Sequence, residues 1–187
     1  MKKLVIAIVA VAMATCANAA SWSWQSSTAA VTPGGSDALG GASIYLFFGY
    51  TSSADANTAK ASLLSSLRAG NAISGYSQTA TLNSSGILEE QAFTGDEAKL
   101  YAFAVILADD ADGNSYMFQS ANKNATASSV GTASLSFDIS STTLKSLTDT
   151  GTGAGWFQYS TGAVPEPTSG LLLLLGVAGL ALKRKRA

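Results

Sequence analysis

The chain contains no histidine, and its one cysteine, Cys16, lies in an apolar N-terminal stretch. Without histidine the commonest general base is missing, together with a principal ligand of zinc and copper. A mature chain that has lost Cys16 has no thiol nucleophile and no disulfide. Proline is scarce too: Pro33, Pro165 and Pro167 are all there is, and two of the three flank a single glutamate. Positive charge is thin between residues 20 and 164, where Lys60, Arg68, Lys99, Lys123 and Lys145 face 11 carboxylates for a net charge of −6. Five scattered bases make no basic patch, which argues against nucleic acid or an anionic membrane as a partner of this region.

What is present begins with two contrasting ends. Met1-Lys2-Lys3 is positively charged, residues 4–14 are apolar and uncharged, and Ala17-Asn18-Ala19 places small residues where a signal peptidase reads them. Cleavage is expected after Ala19, so that the mature chain starts at Ala20. The apolar run is about half of the ~20 residues a spanning helix needs, which favours a cleaved signal over 1–19 rather than an anchor. Thr15, standing before Cys16, fits a lipoprotein signal poorly. Export without a disulfide follows.

At the other end Val164-Pro165-Glu166-Pro167 is followed by an expected hydrophobic helix at 168–182, uncharged and almost wholly apolar from Gly170 to Leu182, and by Lys183-Arg184-Lys185-Arg186-Ala187. Proline fixes φ and pushes the residue before it toward extended backbone, so Val164 and Glu166 suit a protease that binds an extended strand. Residues 169–182 make about 21 Å of helix at ~1.5 Å per residue, and Thr168 with a snorkelling Lys183 brings this to marginal spanning length. The basic cluster would remain cytoplasmic and stop transfer. This order of segments resembles the PEP-CTERM sorting signal of exported proteins in exopolysaccharide-making Gram-negative bacteria; the resemblance covers residues 165–187 only. It implies recognition and removal of the tail by exosortase, a membrane transpeptidase, with the inner membrane as an intermediate stop and the cell surface or extracellular matrix as destination. Retention of 168–182 as a permanent membrane anchor is the alternative, for which the proline pair has no use.

Residues 20–164 have the size of one domain. They are rich in serine and threonine, but Trp22, Trp24, Trp156 and the run Ile44-Tyr45-Leu46-Phe47-Phe48 supply enough apolar area for a packed core. Period-two alternation at 21–26 places both tryptophans on one strand face, and 42–50, 74–82, 87–93, 99–108, 115–120, 133–139 and 156–160 read as further strands. The segments 74–82 and 87–93 are expected to pair across Asn83-Ser84-Ser85-Gly86. A hairpin turn at 109–114 joins the next two. Between residues 55 and 68, Ala56, Ala59, Leu63, Leu64 and Leu67 form a helical stripe, with Ser53 or Asp55 as cap, Arg68 facing the negative end and Gly70 as stop. The expected fold is all-β: one β-sandwich or open barrel of about eight short strands with one amphipathic helix, plus a C-terminal transmembrane-type helix. A mixed α+β arrangement is the alternative. The core is expected from Ile44, Leu46, Phe48, Tyr101, Phe103, Val105, Leu107, Phe118, Leu135, Phe137 and the Leu63-Leu64-Leu67 stripe.

The residues left for catalysis are carboxylate pairs or a Ser/Lys dyad. Glu89 and Glu90 are adjacent on an expected strand and point to opposite faces, and Asp96-Glu97 read as loop charges, so no enzyme is expected and a carboxylate-dependent hydrolase is a third choice. Asp109, Asp110, Asp112 and Asn114 concentrate oxygen ligands, yet Asp-Gly between alternating runs already explains them as a turn, so no metal or other cofactor is expected. Trp22, Trp24 and Trp156 either form a platform for stacking sugar rings, in a carbohydrate-binding module, or belong to the core. Ice binding would want a long, regular Thr-x-Thr array, and only Thr79 with Thr81 and the short run Thr148, Thr150 and Thr152 have that spacing. The chain reads as an exported, non-enzymatic surface or matrix protein with a structural or adhesive role near exopolysaccharide. Its expected partners are signal peptidase, an exosortase-like transpeptidase and polysaccharide.

Overall fold

The computed structural model describes residues 19–96, 101–124 and 132–161; the expected C-terminal helix lies outside them. The strands are β1 (Ala19–Ser26), β2 (Ser43–Tyr50), β3 (Gln78–Thr81), β4 (Gln91–Asp96), β5 (Tyr101–Asp109), β6 (Ser115–Gln119), β7 (Lys123–Asn124), β8 (Ala133–Phe137), β9 (Leu144–Lys145) and β10 (Gly155–Ser160), with helix α1 (Ser53–Arg68) between β2 and β3. They form a small sheet of order β4-β1-β8 and a large one of order β3-β2-β5-β6-β10-β9, with β7 paired to the start of β5.

Alternation along the strands makes three layers. Trp22 and Trp24 of β1, Phe93 of β4, and Leu135 and Phe137 of β8 meet Ile44, Leu46, Ala104, Ile106, Phe118 and Trp156 from the large sheet in one apolar cluster. The opposite side of the same large strands presents Phe47, Phe103, Val105, Met117 and Phe157 to Ala56, Leu63, Leu64 and Leu67 of α1. The large sheet is therefore covered on both faces, which accounts for the near-continuous apolar runs 44–48 and 101–107. Trp22 sits 4.9 Å from Phe48 and Phe48 5.2 Å from Phe93, ring to ring, and joins the two sheets at one edge. Gly95 leaves room there: a Cβ would lie 2.7 Å from a ring carbon of Phe48 and 3.2 Å from Trp22.

The mostly-β architecture with one helix agrees with the all-β expectation, and the helix lies on a sheet face. Its cap is neither expected candidate but Ser52, one residue before Ser53 and three before Asp55, whose hydroxyl accepts from the Asp55 amide at 3.1 Å. Gly70 takes the left-handed stop, φ +82°. The hairpin at 109–114 forms as read, pairing β5 with β6. The hairpin expected between 74–82 and 87–93 does not. Asn83 does make a turn, accepting from the amides of Ser85 and Ile87, but β3 then joins β2 in the large sheet while β4 joins β1 in the small one. Phe48, Tyr101 and Leu107, expected in the core, lie half-buried at its margins, and Trp22, Trp24, Trp156, Met117 and Phe157 take its centre.

Candidate functional site

The three tryptophans cannot stack sugars. Trp22, Trp24 and Trp156 are 0–1 % exposed and lie between the sheets, where their large rings fill the space that shorter side chains would leave. The indole nitrogens of Trp22 and Trp156 have no hydrogen-bond partner among the described residues, so these rings are present for their volume.

The aspartate cluster builds a turn. The Asp110 carboxylate accepts from the Asp112 amide at 2.9 Å, the Asn114 amide at 2.8 Å and the Asn114 side-chain nitrogen at 2.9 Å. These bonds, the Asn114 side chain first, hold its carboxyl below the usual carboxylate range. Gly113 adopts φ +78° and donates to the Asp110 carbonyl. Asp109 and Asp112 are exposed beside it, and among the described residues no three carboxylates converge as metal ligands do. Glu89 and Glu90 are exposed and precede β4, off any strand, and Asp96 ends β4 with Glu97 outside the described residues.

Two sites escaped the sequence reading. The first is Lys60, 1 % exposed in the middle of the apolar stripe of α1. Its ammonium donates to the Ser120 carbonyl at 2.6 Å and stands 5.2 Å above the Phe103 ring. Burial pushes its pKa down to about 8. Gln119 donates to the Lys60 carbonyl at 3.2 Å, and Asn122 donates to Asn57 at 2.8 Å and to the Ser53 hydroxyl at 3.0 Å, fastening the first half of α1 to the end of β6. A buried lysine beside a serine has the composition of a Ser/Lys dyad but lacks its geometry. The Ser120 hydroxyl accepts from the Ala104 amide and donates to the Ala121 carbonyl, while Lys60 reaches the carbonyl rather than the hydroxyl. The spacing of Lys60 from Ala56 and Leu64 signalled its burial.

The second is at the other end of the helix. Arg68, expected to face its own helix terminus, turns outward to the main-chain carbonyls of Gln158, Asp149 and Ser146, at 3.1, 2.7 and 3.1 Å. Burial lowers its pKa and the neighbouring Asp149 charge opposes that shift. Beside it an open groove of about 440 Å³ runs between Leu67, Ile73, Leu107 and Tyr159.

Of the processing residues, Ala17, Val164, Pro165, Glu166 and Pro167 lie outside the described residues, as do Lys183, Arg184, Lys185 and Arg186. Ala19 and Ala20 open β1 opposite Asp96 and Gly95, so the expected cleavage point is already in extended backbone.

Compared with known proteins, the model of the PEP-CTERM protein-sorting motif matches residues 163–186. No curated protein and no solved structure matches the chain. The chain carries a PEP-CTERM sorting signal, which marks it as an exported, surface-directed protein processed by an exosortase-like system.

Proposed function

We propose that the chain is a structural or adhesive component of the cell surface or extracellular matrix, non-enzymatic and working alongside exopolysaccharide. The observation that carries this reading is the sorting motif at 163–186 following directly on a sandwich whose last described strand ends at Ser160. In this reading signal peptidase cuts after Ala19, the apolar segment within 168–182 holds the precursor in the inner membrane with Lys183, Arg184, Lys185 and Arg186 inside, and the tail is removed near Pro165-Glu166-Pro167. The domain in between is a scaffold: a sheet buried on both faces, and a turn at 109–114 that closes on its own side chains, need no ligand to hold their shape. Lack of histidine and of a retained cysteine supports the non-enzymatic part.

The test is location. The full chain and a variant lacking residues 165–187 would be expressed in an exosortase-containing, exopolysaccharide-producing host and fractionated. The full chain should co-fractionate with surface polysaccharide while the truncated one is released to periplasm or medium. Identical distributions, or a full chain that stays in the inner membrane, would contradict the proposal.

A further inference from the structure

The large sheet is wider than the one helix covering its outer face. After Arg68 the chain reverses at Gly70 and crosses back to β3, and between this return, the helix end and the rims of β5, β6 and β10 lies the groove of about 440 Å³. We infer that this groove binds one residue of a neutral, hydroxyl-rich saccharide.

Three features select that ligand class. The walls formed by Ile73, Leu107 and Tyr159 are half-buried margins of the apolar cluster under α1, and they offer an aromatic ring and branched aliphatics to the C–H face of a pyranose. The polar lining consists of short uncharged groups. Ser115 contributes a hydroxyl, and Asn71 keeps an amide oxygen and a second N–H beyond its bond to the Ser66 hydroxyl, a set suited to vicinal sugar hydroxyls. Among the described residues no carboxylate lines the groove. Its one cation, Arg68, donates four hydrogen bonds to main-chain carbonyls and has the Asp149 charge beside it, so it makes no demand for an anion. The net charge of −6 over residues 20–164 further disfavours an acidic polymer. The volume lies within the range of small-ligand pockets, roughly 300–1,000 Å³. Because the groove is open along one side, it can accept a unit within a longer chain.

The inference rests on the surface reading only for the supply of ligand, and its test reads binding where the earlier one reads location. The full-length chain in detergent solution would be titrated with maltotetraose, cellotetraose and mannotetraose, and separately with tetragalacturonate, following saturation transfer to the sugar C–H protons and the heat of binding. At least one neutral tetrasaccharide should bind, tetragalacturonate at least tenfold more weakly. Tyr159→Ala should weaken binding at least tenfold. Asn71→Leu, a change at an exposed position that leaves the core intact, should weaken it at least threefold with unchanged thermal unfolding. No neutral binding at millimolar concentration would overturn the inference. So would binding unaffected by both substitutions, or an acidic tetrasaccharide bound as tightly as the neutral ones.

Discussion

The ammonium of Lys60 donates a 2.6 Å hydrogen bond to the carbonyl of Ser120, and this is how the middle of α1 is held to the end of β6. Burial lowers the lysine pKa from 10.5 to about 8. The folded chain therefore releases this proton before the unfolded chain does. Between pH 8 and 10.5 the unfolded state binds more protons, so stability rises with pH across that window and is level below it, where both states carry the proton. The full effect is at most about 3.5 kcal/mol, because one pKa unit corresponds to about 1.4 kcal/mol. Urea unfolding at pH 7, 8, 9 and 9.5 should show the rise. Lys60→Met should remove it while leaving stability at pH 7 equal or higher. A wild-type profile flat from 7 to 9.5 would show that the cation–π contact with Phe103 offsets the burial.

Phe103 is fully buried beneath Lys60 and stacks on Phe47 at 5.0 Å with an interplanar angle of 1°. Phe103→Ala should cost about 3–5 kcal/mol in denaturant unfolding, since transfer and cavity losses add. A cost below about 1 kcal/mol would mean that the helix layer adjusts freely to the gap.

Gly95→Ala tests the joint between the sheets. The added Cβ meets the Phe48 ring at 2.7 Å and the fully buried Trp22 at 3.2 Å. Overpacking of this kind costs about 1–3 kcal/mol, and thermal unfolding should register it.

The residues that were read correctly are those whose partners are near in sequence. Tyr101 to Leu107, Asp112-Gly113 and the run after Ser115 specify β5, its turn and β6 by local chemistry, as the Ala56 to Leu67 stripe does for α1. The turn at Asn83 is equally local and equally real, but the strands beside it answer to distant partners, β2 and β1, which no turn signal encodes. Alternation put Trp22 and Trp24 on one face without saying whether that face was wet or dry; the second sheet decided it. Lys60 was overlooked because a lysine on an apolar stripe is ordinarily expected to snorkel, and the groove at Tyr159 because its walls come from α1, the return to β3, β5 and β10.

Asp110 gives a prediction about metal. Its carboxylate already accepts three hydrogen bonds within the turn, so calcium or EDTA should leave the melting temperature unchanged, whereas Asp110→Ala should lower it. Since those bonds hold its pKa below the usual range, the support it lends is present above the unfolded carboxylate pKa and is lost as pH falls through the folded one. A calcium-dependent rise in melting temperature would show that Asp109, Asp110 and Asp112 rearrange around the ion.

The central claim is that this chain is exported and trimmed at both ends around a β-domain. Intact-mass measurement of the protein recovered from the cell surface tests it most directly. The account predicts a chain that begins at Ala20 and ends near Pro165 or Pro167, without Lys183 to Arg186. A surface-exposed chain that still carries Arg186 would contradict it.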